Sequence, residues 1–136
     1  MDVAQGGCLC SAVRYRVSGA PVATGTCHCN TCRKASAAPS VAWVTFRRSN
    51  FQVTTGEPTV FRSSPGVERT FCSRCGTPLT YANEADPDTI DVTTGSLDDP
   101  SLYPPSKEVW LEHKLAWSAS DAAIPRHLQG STSPRL

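Results

Sequence analysis

Residues 12–17 (AVRYRV) alternate apolar and polar side chains, the period-two pattern of a half-buried strand. Similar alternation, or a short β-branched run, recurs at 41–46, 51–55, 59–62, 67–71, 78–81 and 89–93. Residues 22–26 predict a weaker strand, and 108–111 and 115–117 are short candidates. Turn formers separate these runs, as in the SGAP of 18–21 and the segment 47–50. Residues 30–36 (NTCRKAS) predict one or two helical turns with Asn30 as N-cap. Residues 1–7 read as a polar lead-in. The stretch 97–105, with three prolines and two aspartates, reads as a loop, and the polar 129–136 reads as a flexible tail that frays. Many short strands punctuated by turns predict a mainly β fold with few, short helices.

Composition agrees with that reading. The 9 Gly and 11 Pro are spread along 136 residues, which keeps helices short. A chain of this length makes one domain, expected over residues 1–128, and can bury a core without staples. Lys+Arg number 13 and Asp+Glu 12, for a net charge of +1. That balance argues against nucleic acid, whose partners show a basic excess. The longest fully apolar run, 41–44, is far too short to span a bilayer. The start, MDVAQGG, has neither the basic residues nor the apolar stretch of a secretory signal. The expected location is therefore the cytoplasm, a reducing compartment.

Seven cysteines change the picture, because an odd number cannot all pair within the chain. They fall in three clusters with none left over: Cys8 and Cys10; Cys27, Cys29 and Cys32; Cys72 and Cys75. In a reducing compartment such clusters point to metal. All-thiolate sets select zinc first and iron–sulfur second. Gly76, just after Cys75, suits the tight turn of a zinc knuckle. A structural zinc takes four protein ligands, whereas a catalytic zinc takes three and keeps a position open. Seven divides naturally in that way. The middle cluster would supply three ligands, and Cys8, Cys10, Cys72 and Cys75 the four. A four-ligand site built from the middle cluster plus one further cysteine is the alternative division.

The motifs Gly6-Gly7-Cys8-Leu9-Cys10, Ala12-Val13-Arg14-Tyr15, Cys27-His28-Cys29-Asn30-Thr31-Cys32-Arg33-Lys34 and Phe71-Cys72-Ser73-Arg74-Cys75-Gly76-Thr77-Pro78-Leu79 stand in this order. Thr94-Gly95-Ser96-Leu97-Asp98 and Lys114-Leu115-Ala116-Trp117 follow. Together they resemble the glutathione-dependent formaldehyde-activating enzyme family, which also includes centromere protein V. The resemblance runs from about residue 5 to 125 and takes in every cysteine. It implies a β-tent fold of small antiparallel sheets joined by a four-cysteine zinc site. It further implies two zinc ions per chain: one held by Cys8, Cys10, Cys72 and Cys75, and a catalytic one held by Cys27, Cys29 and Cys32. The implied activity is that of a carbon–sulfur lyase which joins glutathione, or a similar thiol, to formaldehyde or another small aldehyde. Two departures stand out. Ser11 occupies a position where the family often has Gly, and residues 35–38 (ASAA) replace a stretch that often contains one, where side chains could narrow a pocket.

Other residues have paired readings. His28, between two candidate ligands, reads as a proton shuttle or a donor to the ligands, or else as a histidine that only orders the turn. Arg33 and Lys34 could hold the carboxylates of glutathione, or form a solvated basic pair. His113 and His127 lie far from every cysteine cluster and are not expected as ligands. Trp43, Trp110 and Trp117 read as core or pocket wall, with Trp117 a candidate for lining the thiol site, and Asp98 and Asp99 read as loop caps in preference to general bases. Besides the enzyme, a glutathione carrier, a non-catalytic zinc-stabilised binding module and a redox sensor are compatible with these residues. The expected partners are a small thiol and an aldehyde, with no membrane.

Overall fold

Alternation becomes strand almost wherever it occurs. In the computed structural model, which describes residues 2–136, β1 (Val3–Gly7), β2 (Arg14–Ser18) and β5 (Phe51–Thr55) form a three-stranded antiparallel sheet in the order β1-β2-β5. The second sheet has seven strands in the order β10-β3-β4-β9-β8-β7-β6. Its members are β3 (Ala23–Cys27), β4 (Val41–Arg47), β6 (Thr59–Ser64), β7 (Val67–Phe71), β8 (Pro78–Asn83), β9 (Thr89–Thr93) and β10 (Glu108–Val109). The only α-helix among the described residues is α1 (Asn30–Ser36). The expected mainly β class holds, with one sheet larger than expected and a parallel edge where β10 meets β3.

The period of two sorts the side chains of the large sheet. Val44 and Phe46 of β4 and Ile90 and Val92 of β9 point into the main core with Tyr15 and Val17 of β2. Val44, Phe46 and Val92 are fully buried, which stabilises the fold by roughly 1.5–3 kcal/mol for each side chain. The intervening residues Trp43, Thr45 and Asp91 face a cavity on the opposite side. Strand register brings Ala23, Thr45, Asp91, Tyr81 and Arg69 into one row across β3, β4, β9, β8 and β7.

Several expectations need correction. The lead-in is strand β1, paired with β2 along its whole length. No strand forms at 115–117, and 108–111 shortens to β10 before a 3-10 turn at Leu111–His113. Asn30 is the first helical residue rather than the cap. Cys29 caps α1, its thiol accepting from the Cys32 amide. Asp98 does not cap its loop but forms a two-point ion pair with Arg14, fastening the segment after β9 to the small sheet. Residues 129–136 fold back on the domain: the Leu128 amide donates to Pro134 and the Leu136 amide to Arg126.

Candidate metal centres and active-site cavity

The turn between β1 and β2 contributes Cys8 and Cys10, and the turn between β7 and β8 contributes Cys72 and Cys75. The four sulfurs lie within 4.8 Å of one another. Cys8 Sγ is 3.7 Å from Cys10 Sγ, and Cys10 Sγ is 3.8 Å from Cys72 Sγ. The edge of a tetrahedron of sulfurs around zinc is about 3.8 Å, given bonds of about 2.3 Å. The Val13 amide donates to Cys8 Sγ (3.3 Å) and the Arg74 amide to Cys72 Sγ (3.4 Å), as suits thiolates. The Thr77 hydroxyl, then its amide, brings the Cys75 thiol down to about 5. Gly76 takes φ +82° in this turn, the left-handed conformation expected of a knuckle glycine. This group joins the small sheet to the large one.

Cys27 ends β3, Cys29 caps α1 and Cys32 lies in its first turn. Their sulfurs form a second group, again within 4.8 Å of one another. The cysteines thus divide four and three, and the alternative division has no counterpart in the geometry. The Cys29 amide faces Cys27 Sγ at 3.5 Å, and the Thr31 hydroxyl lies 3.2 Å from Cys29 Sγ. Hydrogen bonding to Cys29 and Cys32, followed by burial, pushes the Cys27 thiol far up. Hydrogen bonds from Cys27 and Cys32 pull Cys29 far down. Three crowded sulfurs cannot all ionise without a cation among them. This donor set therefore fits a metal ion.

The three-thiol group opens onto a cavity of about 620 Å³. Trp43, Tyr81 and Trp110 supply its aromatic wall, and Arg69, Lys107 and Asp91 its charges. Arg69 reaches the triplet, with its Nη2 3.7 Å from Cys32 Sγ. Asp91 accepts from the Thr45 hydroxyl (2.6 Å), and burial raises its carboxyl above the ordinary range. The Lys107 side chain runs beside Gly25, where a Cβ would come within 3.2 Å of Lys107 Cγ. Trp110 has φ +61°, a strained conformation for a bulky residue, and stacks on His113 at 5.1 Å.

Not every candidate residue reaches this wall. His28 is 1% exposed, and its Nε2 lies 2.7 Å from Glu108 Oε1, on β10. The other Glu108 oxygen accepts from the Asp121 amide, so the pair ties the cysteine loop to the C-terminal segment. Neither His28, Arg33 nor Lys34 lines the cavity, and residues 35–38 do not narrow it. Trp117 is 74% exposed and lies off the wall. His113, given no role from sequence, does line the cavity. Its Nδ1 accepts from the Asn30 amide at 3.4 Å. His127 instead places its Nδ1 3.0 Å from the Ser133 carbonyl. No sequence signal marks Arg69 or Lys107, which are ordinary polar residues until the sheet aligns them. Both family departures fall on left-handed backbone: Ser11 at φ +64° and Ala37 at φ +51°.

Fold and site together define a two-sheet β protein with one self-closed group of four thiols and one group of three that faces a cavity. Residues 3–113 match the model of the glutathione-dependent formaldehyde-activating enzyme family, and the chain belongs to that family of lyase-type enzymes. A Halomonas elongata protein whose name places it in the same enzyme family is 30% identical over 123 residues, covering 83% of this chain and 78% of the relative. An uncharacterised lyase of Schizosaccharomyces pombe is 33% identical over 79 residues, covering 57% of this chain and 56% of that protein. A crystal structure of a Rhodobacter sphaeroides protein shares the fold, with a TM-score of 0.60 at 23% identity. It covers 69% of this chain and 87% of its own. No helix of the described residues is long and apolar enough to cross a membrane.

Proposed function

We propose that the protein is a zinc-dependent carbon–sulfur lyase that reversibly joins a thiol such as glutathione to formaldehyde or another small aldehyde. One observation supports this above the rest. Three of the seven thiols face a cavity large enough for a tripeptide, while the other four close on themselves between the sheets. Both donor sets fit zinc, so the reading has two zinc ions per chain, a β-tent architecture and a reducing, cytoplasmic setting.

A zinc held by Cys27, Cys29 and Cys32 would supply a Lewis acid with an open position, where an incoming thiol loses its proton more readily. The protein's own groups do the rest. Cys29 and Cys32 are fixed by their place on α1, and Cys27 by its pairing with Val41. Trp43, Tyr81 and Trp110 exclude water and pack against the body of the thiol substrate. Lys107 offers an ammonium to a substrate carboxylate, a role for which Arg33 and Lys34 are misplaced. His28 acts from outside the cavity, orienting the cysteine loop through Glu108. In the reaction the sulfur–carbon bond forms, the carbonyl π bond opens, and the proton lost by the thiol ends on the carbonyl oxygen.

Exchange between formaldehyde and glutathione, followed by NMR, tests the reading. The wild-type chain should accelerate exchange, and Cys29→Ser should match buffer. Equal rates for wild type and Cys29→Ser would contradict it. Glutathione binding without acceleration would make the protein a carrier on the same site.

A further inference from the structure

Resting on that reading, we propose that Arg69 is a catalytic residue whose guanidinium binds the oxygen that develops negative charge as the thiol adds to the aldehyde. Arg69 projects from β7 on the cavity side of the large sheet and reaches the three-thiol group, 37 residues away in sequence. Three contacts aim it. Its Nε donates to the Ser63 hydroxyl at 3.2 Å, its guanidinium lies over the Tyr81 ring at 5.0 Å, and its Nη2 donates to Cys32 Sγ at 3.7 Å. A guanidinium has five N–H donors, and these contacts leave the rest of them for the cavity. Among the described residues no carboxylate pairs with it: the ion pairs involve Arg14, His28, Arg62 and His113. An unpaired, pre-aimed cation on the wall of a cavity is a site for an anion.

Position decides which anion. A thiol seated beside the three cysteines would have its sulfur next to Cys32, whose own Sγ is 3.7 Å from Arg69 Nη2. An oxygen on the carbon newly bonded to the substrate sulfur falls within reach of the guanidinium. The carboxylates of a peptide thiol lie several bonds further from the sulfur. The reacting oxygen is therefore the group that Arg69 meets. As sulfur attacks carbon, the π pair moves onto oxygen, and Arg69 donates hydrogen bonds to it there. The thiol's proton then completes the hydroxyl. A donor held in place before charge develops lowers the barrier without reorganising, and removing one such donor typically costs 100-fold or more.

The test compares Arg69→Met and Arg69→Lys with wild type in three measurements on the metal-loaded chain. These are metal content, glutathione affinity from the fluorescence of Trp43 and Trp110, and the rate of formaldehyde–glutathione exchange at saturating thiol. Arg69→Met should keep its metal and bind glutathione within about twofold of wild type, while its exchange rate falls by roughly 100-fold. Arg69→Lys should recover part of that loss. An unchanged rate would overturn the assignment. So would weakened glutathione binding with an unchanged saturated rate, which would make Arg69 a carboxylate anchor. Loss of metal from Arg69→Met would make it a prop for Cys32 and also overturn the assignment. A wild-type chain that does not accelerate exchange overturns the parent reading and this inference together. Wild-type acceleration with an equally fast Arg69→Met overturns the inference alone.

Discussion

Cys10 Sγ lies 3.8 Å from Cys72 Sγ, although 62 residues separate the two in sequence. That contact bridges the β1–β2 turn of the small sheet and the β7–β8 turn of the large one. A metal bound there is bound only by the folded chain, so its affinity adds to stability, on the order of 10 kcal/mol for a structural zinc. Cys75→Ser should therefore abolish folding or lower the melting temperature drastically. Cys29→Ser should stay folded. Thermal melting by circular dichroism reads both, and a Cys75→Ser chain that melts like wild type would remove the structural role.

The two left-handed residues give an opposite expectation. An L-residue with a Cβ costs roughly 1–2 kcal/mol in that conformation, part of which glycine forfeits in chain entropy. Ser11 at φ +64° and Ala37 at φ +51° should each accept glycine with a gain in stability, raising melting by about 2–4 °C. A fall in melting temperature for both variants would show that their side chains contribute more than the backbone strain costs.

Glu108 is 5% exposed, and His28 has its ring against it. Removing Glu108 leaves a buried ring nitrogen of His28 without its hydrogen-bond partner, a loss of about 1–3 kcal/mol. Glu108→Ala should lose this much, and also release the Asp121 amide that the second carboxylate oxygen accepts. Chemical denaturation measures the change. A loss below about 1 kcal/mol, the range of exposed pairs, would mean that the pair does not hold the cysteine loop to the C-terminal segment.

Asp91 provides a pH-dependent test. Burial raises its carboxyl in the folded chain, while the hydrogen bond from Thr45 opposes the shift. The folded chain then binds a proton more tightly than the unfolded chain does. Stability from this group is full below the unfolded value and is lost as pH rises through the folded value. Asp91→Asn keeps an acceptor for Thr45 and carries no charge. Its stability relative to wild type should be greatest where the wild-type carboxyl is ionised and shrink as pH falls through the folded-state value. A stability difference that widens on acidification would reverse the sign assigned to Asp91.

Much of the fold is legible in local pattern. β5 and β9 occupy the spans that their alternation predicts, because each has one face toward the core and one away from it. β1 is not legible. Its residues Val3–Gly7 end in two glycines, and Gly6 is needed because a Cβ there would collide with the Tyr15 hydroxyl. The strand forms through packing that its own composition does not announce. The three cysteine clusters are equally plain from spacing, since C-x-C and C-x-x-C place sulfurs close together whatever the surroundings. The cavity wall is not. Arg69, Lys107 and His113 meet the triplet only through the register of distant strands and the turn after β10. Arg33 and Lys34 adjoin Cys32 in sequence, yet lie off the cavity wall. Nearness along the chain identified the thiols, and only the sheet identified their neighbours.

The division of seven thiols into a closing four and an open three is tested most directly by metal content per folded chain. Wild type should hold two zinc ions. Cys29→Ser should hold one, with its melting temperature close to that of wild type. A wild-type chain with a single zinc, or a Cys29→Ser chain that loses both ions and unfolds, would contradict the division.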